Sequence, residues 1–489
     1  MTQINTNTAS MLAQRVLAMQ NKALTVSLER LSTGLRINRG KDDPAGLIAS
    51  ENLRAEKKAI ASAISNAERA EQVVNVAEGG LQEIQNLVVE LQSLVAASAN
   101  EAGLSIEEKD ANQLQIDSIL QTIDRLANDT SFQGTKLLNG TFDYTLAGVS
   151  ATLLTDVSVN SARIPDGGTL EVDITVLTSG QTASVFLSTG SGNFSSGLDE
   201  GSLTIELTGN DGVQQFTFAS GTSQGNISNA INSFSTAIGV SAAQSTGNTA
   251  LVELRSTTFG SNEFVRVKEL NALTNDFILA SAGATATSDV KESGRDAIVT
   301  INGQQATANG LEARVATGGF DVVVLLSGGS ALNKTGGNTT FTITGGGANF
   351  NLSPNVNLAG KVSLGIETVT TGNLGKAGTG FLASLSAGGT NNVVNGDLST
   401  AQKIIDQAIK QVSTLRGRLG AFQKNTVGAT INSLGIALEN TAAAEASIRD
   451  TDFARETAEL TRAQILAQAA TQALAIANAM PTSILALLG

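Results

Sequence analysis

Apolar residues recur in alternating steps of three and four along both ends of the chain. Leu17, Leu24, Leu28, Leu31 and Leu35 step by 7, 4, 3 and 4. Ala77, Leu81, Ile84, Val88, Leu91 and Val95 keep the same rhythm, and a shorter run holds Ile116, Ile119, Ile123 and Leu126. Beyond residue 400 come Ile405, Ala408, Val412, Leu415, Leu419 and Phe422, then Val427, Ile431, Leu434, Leu438 and Thr441. Leu460, Ala463, Ala467, Ala470, Leu474 and Ala477 close the series. A repeat of about 3.5 residues keeps one stripe of a helix facing a partner, as in a coiled coil. One such stripe would suit an amphipathic helix of an ordinary globular domain. Six, gathered in two terminal blocks, predict helices that pack on one another.

Between the blocks the period drops to two. Leu170, Val172, Ile174 and Val176 alternate with polar residues, and Leu203–Leu207, Phe216–Phe218, Ile298–Gly303, Val322–Leu326 and Phe341–Ile343 repeat the pattern. These runs predict strands joined by Gly, Asn and Ser turns, with a short helix over Asn226–Asn232. The predicted class is α+β: long terminal helices pairing as a coiled coil and helical bundle, with a mostly β domain inserted between them.

Helix breaks refine the map. Asp43 suits an N-cap and Pro44 a first helical position, so Asp42, Asp43 and Pro44 mark a helix start after a linker over Gly34–Gly40. Gly79-Gly80 interrupts a seam at about 1 kcal/mol per Gly, yet the rhythm keeps phase across it and predicts one continuous helix. Aromatics are absent before Phe132, and only Phe422 and Phe453 follow Phe381. The expected division is residues 1–43 with 449–489 as a coiled-coil core, 44–150 with 399–448 as a bundle with a β-hairpin, and 151–398 as an outer region of one or two subdomains.

Composition narrows the chemistry. The 489 residues include no Cys, no His and no Trp, with 50 Gly and a formal charge of -13. Thiolate nucleophiles, disulfides, imidazole bases and zinc sites of the usual kind are excluded. The acidic balance argues against nucleic acid. No cationic segment followed by an apolar run opens the chain, which argues against an ordinary secretory signal, and no stretch is apolar enough to span a membrane. Scattered acids such as Asp166 and Asp321 read as turn residues. Neither catalytic, cofactor-binding nor metal-binding residues are expected, and the chain is expected not to be an enzyme. Residues 1–41 carry six Lys/Arg against one Glu, and residues 449–489 three Arg against four acids, so the two ends complement each other in charge.

Several motifs resemble bacterial flagellin. Leu31-Ser32-Thr33-Gly34-Leu35-Arg36-Ile37-Asn38 with Lys41-Asp42-Asp43-Pro44-Ala45-Gly46 is similar to its N-terminal signature. Ala77–Leu81, Ile123-Asp124-Arg125 and the hairpin stretch Phe132–Leu138 fit the same family. Ser447–Ala454, Ala463–Leu466 and the closing Pro481–Leu488 are similar to its C-terminal signature. Ile301-Asn302-Gly303 and Ser202–Val267 resemble an insertion repeat of flagellins and hook-associated proteins.

The resemblance implies a subunit exported unfolded by the flagellar type III apparatus and polymerised under a cap into an extracellular filament for motility. It implies a homopolymer whose self-assembly core holds Leu17, Leu24, Leu28, Leu31 and Leu35 against Leu460, Ala463, Ala467, Ala470, Leu474 and Ala477. The surrounding bundle seam is implied to hold Leu81, Ile84, Val88, Leu91, Val95, Ile405, Val412, Leu415, Leu419 and Phe422. Partners implied are cap and hook-associated proteins, the export apparatus and a flagellin-specific chaperone covering Ile465, Leu466, Leu474 and Ile484. Glu90, Leu94 and Gln115 fall where receptor-activating flagellins carry Arg, Leu and Glu, which implies weak recognition by the innate toll-like receptor. A hook-filament junction protein and a secreted coiled-coil adhesin are the competing readings; a zinc peptidase insertion fails for want of His.

Overall fold

The computed structural model describes residues 6–100, 103–165, 167–188, 202–219, 222–244, 251–271, 278–281, 284–285, 287–329, 333–334 and 336–488. Asp166, named above as a turn residue, lies outside them, and the side chain of Ile484 is not described. The chain divides into two compact units. One comprises residues 1–71, 351–360 and 422–489, the other residues 72–350 and 361–421.

In the first unit, helix α1 spans Thr8–Thr33. Asn7 caps it by accepting from Ser10 N at 2.9 Å, and Gly34 ends it at φ 73°, a left-handed geometry that favours glycine. Helix α2, Pro44–Ser98, begins in this unit and runs unbroken through Gly79-Gly80. Asp43 Oδ1 accepts from Gly46 N at 2.9 Å, which supplies the predicted cap. Asp42 Oδ2 accepts from Asn38 N and Arg39 N, folding the linker into a turn ahead of the helix.

The linkers at the two ends are zipped together. Leu35 and Asp450 form an antiparallel bridge, Thr451 N donates to Gly34 O at 2.9 Å and Arg36 N to Arg449 O at 2.7 Å. The Arg36 guanidinium donates to Ile448 O at 2.6 Å. Beyond them the start of α2 is tied to the returning chain by Arg449 to Glu51 at 3.0 Å and by a short Lys57–Glu445 ion pair.

The second unit holds the rest of α2, helix α3 (Ile106–Asp129) and a further helix over Leu398–Ala421. A capping box of Ser105 and Glu108 starts α3. Asp397 starts the later helix by accepting from Ser399 N and Thr400 Oγ1, and the Thr400 hydroxyl holds its carboxyl below the usual range. Leu81, Ile84, Val88, Leu91 and Val95 are buried with Ile116, Ile123, Ile405, Val412 and Leu419. After α3, Gln133 (φ 50°) and Gly134 (φ 85°) turn the hairpin of Ser131–Phe132 and Thr135–Lys136, a type I′ geometry. Gly80 is packed beneath it: a Cβ there would lie 2.7 Å from Thr130 Oγ1 and 2.9 Å from Leu138 Cδ1.

Four larger antiparallel sheets complete this unit. One orders Gln304–Gln305, Ile298–Ile301, Leu170–Thr178, Asn338–Gly346 and Tyr144–Ala147; a second orders Thr307–Asn309, Glu312–Thr317, Phe320–Leu326 and Leu154–Ala162. Both contribute to one hydrophobic cluster. The other two sheets, with the helix Gln224–Asn232 (α4), enclose a separate cluster built on Val185, Leu203, Ile205, Leu207, Ile227 and Val267. The alternating runs of the sequence thus fall in strands. Ile298–Gly303 does so only to Ile301, because Asn302 (φ 51°) and Gly303 (φ 75°) form the turn that follows.

Ile405–Phe422 and Val427–Thr441 read from the sequence as two apolar stripes, a step of five apart. The backbone continues from Leu398–Ala421, now α5, through a π-helical segment at Phe422–Gly428 into α6, Ala429–Arg449. Helix α7 then spans Phe453–Leu488.

Candidate assembly surfaces

Three contacts set the pairing of the terminal helices. Asn7 Nδ2 donates to Ala477 O at 2.7 Å, Ser10 Oγ to Asn478 Oδ1 at 2.6 Å, and Arg30 meets Glu456 at 3.6 Å. Helices α1 and α7 are therefore antiparallel. The less exposed positions of α7 are Glu456, Leu460, Ala463, Ala467, Ala470, Leu474 and Ala477, so every predicted C-terminal seam residue faces inward. On α1 they include Ser10, Ala13, Leu17, Gln20, Leu24, Ser27 and Leu31.

In the register those contacts set, Leu17 lies opposite Ala470 and Leu24 opposite Ala463, while Leu474 and Leu460 lie opposite Ala13 and Ser27. Each of these layers joins one large residue to one small one. Such layers let the helix axes approach closely while burying modest area. Two predicted members differ from the rest. Leu28 is 48% exposed and points off the seam, and Leu35 sits in the bridged linker. Counting leucines finds Leu28; following the three-four step through small residues finds Ser27 instead.

A second stripe on α1 escaped the leucine pattern. Leu12, Val16, Met19, Ala23 and Val26 also step by four and three, and Leu12 and Met19 are 52% and 60% exposed. Helix α7 likewise exposes Ile465, Leu466, Ile476 and Met480. Of the predicted chaperone residues, Ile465 and Leu466 are thus outward and Leu474 lies half-buried in the seam. The signal for the second stripe was present, but Met19 and Ala23 at its middle hid it.

A groove of about 760 Å³ opens at the base of this helix pair. Met19, Ala23 and Val26 line it together with Lys22, Arg30, Arg36 and Arg455, faced by Asp450, Asp452, Glu456 and Glu459. The second stripe therefore runs into a wall of mixed charge.

In the second unit Leu81, Ile84, Val88, Leu91, Val95, Ile405, Val412, Leu415 and Leu419 are buried; Phe422, buried as well, belongs to the first unit. Polar cross-links fix the bundle's register: Arg416 to Glu78 at 2.8 Å, Gln92 Nε2 to Asp406 at 2.9 Å, and Gln113 holding both Leu385 O and Val393 N at 2.9 Å. Glu90 and Gln115 are exposed and Leu94 is half-buried, so all three receptor positions reach the surface.

A smaller cavity, about 280 Å³, gathers Asp143, Asp156 and Glu367 beside Lys376 and Gln411. Burial pushes the Asp143 and Asp156 carboxyls up, and the Glu367 charge adds to both. Among the described residues no group of three or more potential ligands could hold a metal ion, and no helix is long and apolar enough to cross a membrane.

Relatives place this architecture. The profile of the bacterial flagellin N-terminal helical region matches residues 4–143, and that of the C-terminal helical region matches residues 402–488. Flagellin of Salmonella rubislaw is 31% identical and flagellin of Salmonella muenchen 30%, each over 99% of both chains. Flagellin A of Helicobacter pylori is 28% identical over the same share. The solved FliC of Burkholderia pseudomallei aligns with 73% of this chain and 99% of its own at a TM-score of 0.23 and 15% identity, so the assignment rests on sequence. The chain belongs to the bacterial flagellins, the structural subunits of the extracellular flagellar filament.

Proposed function

We propose that this flagellin polymerises through α1 and α7, with the second apolar stripe of α1 seating on the terminal helices of neighbouring copies. One observation carries this: Leu12, Val16, Met19, Ala23 and Val26 repeat at coiled-coil spacing on a helix whose first stripe is already used by α7. Exposed apolar stripes of this kind mark interaction surfaces. Residues 1–43 with 449–489 are accordingly the filament core, 44–150 with 399–448 the surrounding bundle, and 151–398 the outer region. The protein catalyses nothing; its work is mechanical.

Met19→Glu tests the assembly reading. Purified variant monomer should keep the wild-type circular dichroism and fail to elongate filament seeds. Elongation at the wild-type rate would overturn it.

The supporting chemistry extends to export. A chain without Cys has no disulfide to form before passage through the type III apparatus, and Ile465 and Leu466 offer an export chaperone an apolar handle. Seating Leu474 as well would require α7 to leave α1. Cap and hook-associated proteins would meet the same terminal helices at the filament end. At the receptor positions, Glu90 replaces a cation and Gln115 an acid, so recognition by the innate toll-like receptor is weak.

A further inference from the structure

The seams on either side of Phe422 are out of phase by one residue. Inward positions up to Phe422 step by three and four, but the next buried residue, Val427, comes five later where four would keep phase. The seven-residue π-helical segment Phe422–Gly428 takes up that extra residue. A π turn, bonded i to i+5, holds one residue more than an α turn, and such bulges inside α-helices concentrate at functional places.

The flanking side chains decide where the extra residue can stand. Moving it toward α5 would bring Gln423 inward in place of Phe422, expelling a buried ring and breaking the 3.0 Å bond from Gln423 Nε2 to Glu71. Moving it one turn toward α6 would exchange Val427 for Thr426 and Ile431 for Thr430. The first exchange keeps a β-branched side chain of similar size; the second replaces the half-buried Ile431 by the smaller Thr430, itself already half-buried. The Thr430 hydroxyl already donates to Thr426 O at 2.6 Å, so burial would not strand it. A further step would exchange Leu434 for Ser433 and forfeit a leucine's packing.

We propose that residues 422–433 form a two-position register switch. The π turn stands at 422–428 in the structure and moves one turn downstream in the second state, rotating the intervening turn by about 100°. Phe422 stops it on one side and Leu434 on the other. The use of these two states, giving a filament subunit two shapes from one sequence, rests on the assembly reading above; the switch itself is a property of the single chain.

Deleting Asn425 restores the three-four phase and removes the residue the π turn holds. Amide hydrogen exchange of the full-length monomer should show wild-type residues 422–433 exchanging roughly tenfold faster than the middles of α5 and α6, with the deletion slowing them to the flanking rate. Thr426→Asp, which penalises the second state more than the first because Thr426 is only half-buried now and would turn fully inward then, should slow the same amides and serves if the deletion fails to fold. Wild-type amides already as protected as their flanks, or exchange that neither variant slows, would overturn the switch. Filaments of the slowed variant should then hold one curvature across a pH series run beside wild-type filaments. Curvature that still changes would leave the switch standing and remove its role in the filament.

Discussion

Gly79 and Gly80 stand side by side in a 55-residue helix, yet only Gly80 has a neighbour that needs it small. A Cβ on Gly79 meets nothing within 4 Å, whereas one on Gly80 would collide with Thr130 and Leu138. Gly79→Ala should therefore raise stability by up to about 1 kcal/mol, and Gly80→Ala should lower it, both read from denaturant midpoints of the full chain. From the sequence the pair was legible only as a cost to the helix, because the hairpin that presses on Gly80 lies some fifty residues on. The acidic cavity supplies a second single-residue prediction. The Asp156 carboxyl is raised by burial, so the folded chain holds that proton more tightly than the unfolded one. Its ionisation then costs stability as pH rises from the unfolded value through the folded one, and the full cost is present at neutral pH. Asp156→Asn should raise the melting temperature at pH 7 and lose that advantage below the ordinary carboxylate range. An equal effect at both pH values would mean packing, not charge, dominates.

Paired helices follow rules that single residues do not. Where Leu17 opposes Ala470, Ala470→Leu should overpack the layer at about 1–3 kcal/mol, and adding Leu17→Ala should recover most of the loss. The readout is the thermal unfolding of the terminal helices in assembled filaments; a double variant no better than the single would show that the two residues do not share a layer. Element by element, the seams were readable because a three-four repeat needs no tertiary knowledge. Leu28 misled, since leucine content and stripe geometry disagree there, and the π segment was hidden because a step of five looks like a gap between two stripes. The second stripe of α1 was missed for a related reason: Ala23 and Met19 are weak markers of a face that only the burial of the first stripe reveals.

At the scale of the whole molecule, the weak receptor recognition proposed above turns on two surface charges. Glu90→Arg combined with Gln115→Glu should raise the response of a toll-like-receptor reporter line to purified monomer at least several-fold, on the charge-assisted hydrogen bonds a restored cation and acid can form. An unchanged response would place the deficit elsewhere on the surface. The division into helical ends and a β centre was legible from periodicity and from the Phe distribution. The pairing of sheets was not, because alternation marks a strand without saying which strand lies beside it.

The bridge between Leu35 and Asp450, with Arg36 clamped on Ile448, has an evolutionary corollary. It closes everything between those residues into a loop whose ends are already fastened. Loop-closure entropy grows only with the logarithm of length, so doubling the enclosed chain costs about 0.6 kcal/mol. Insertions, deletions and wholesale exchange of the intervening β region are therefore nearly free as far as the fastened ends are concerned. Selection can rewrite the enclosed β sheets while the paired ends stay as they are.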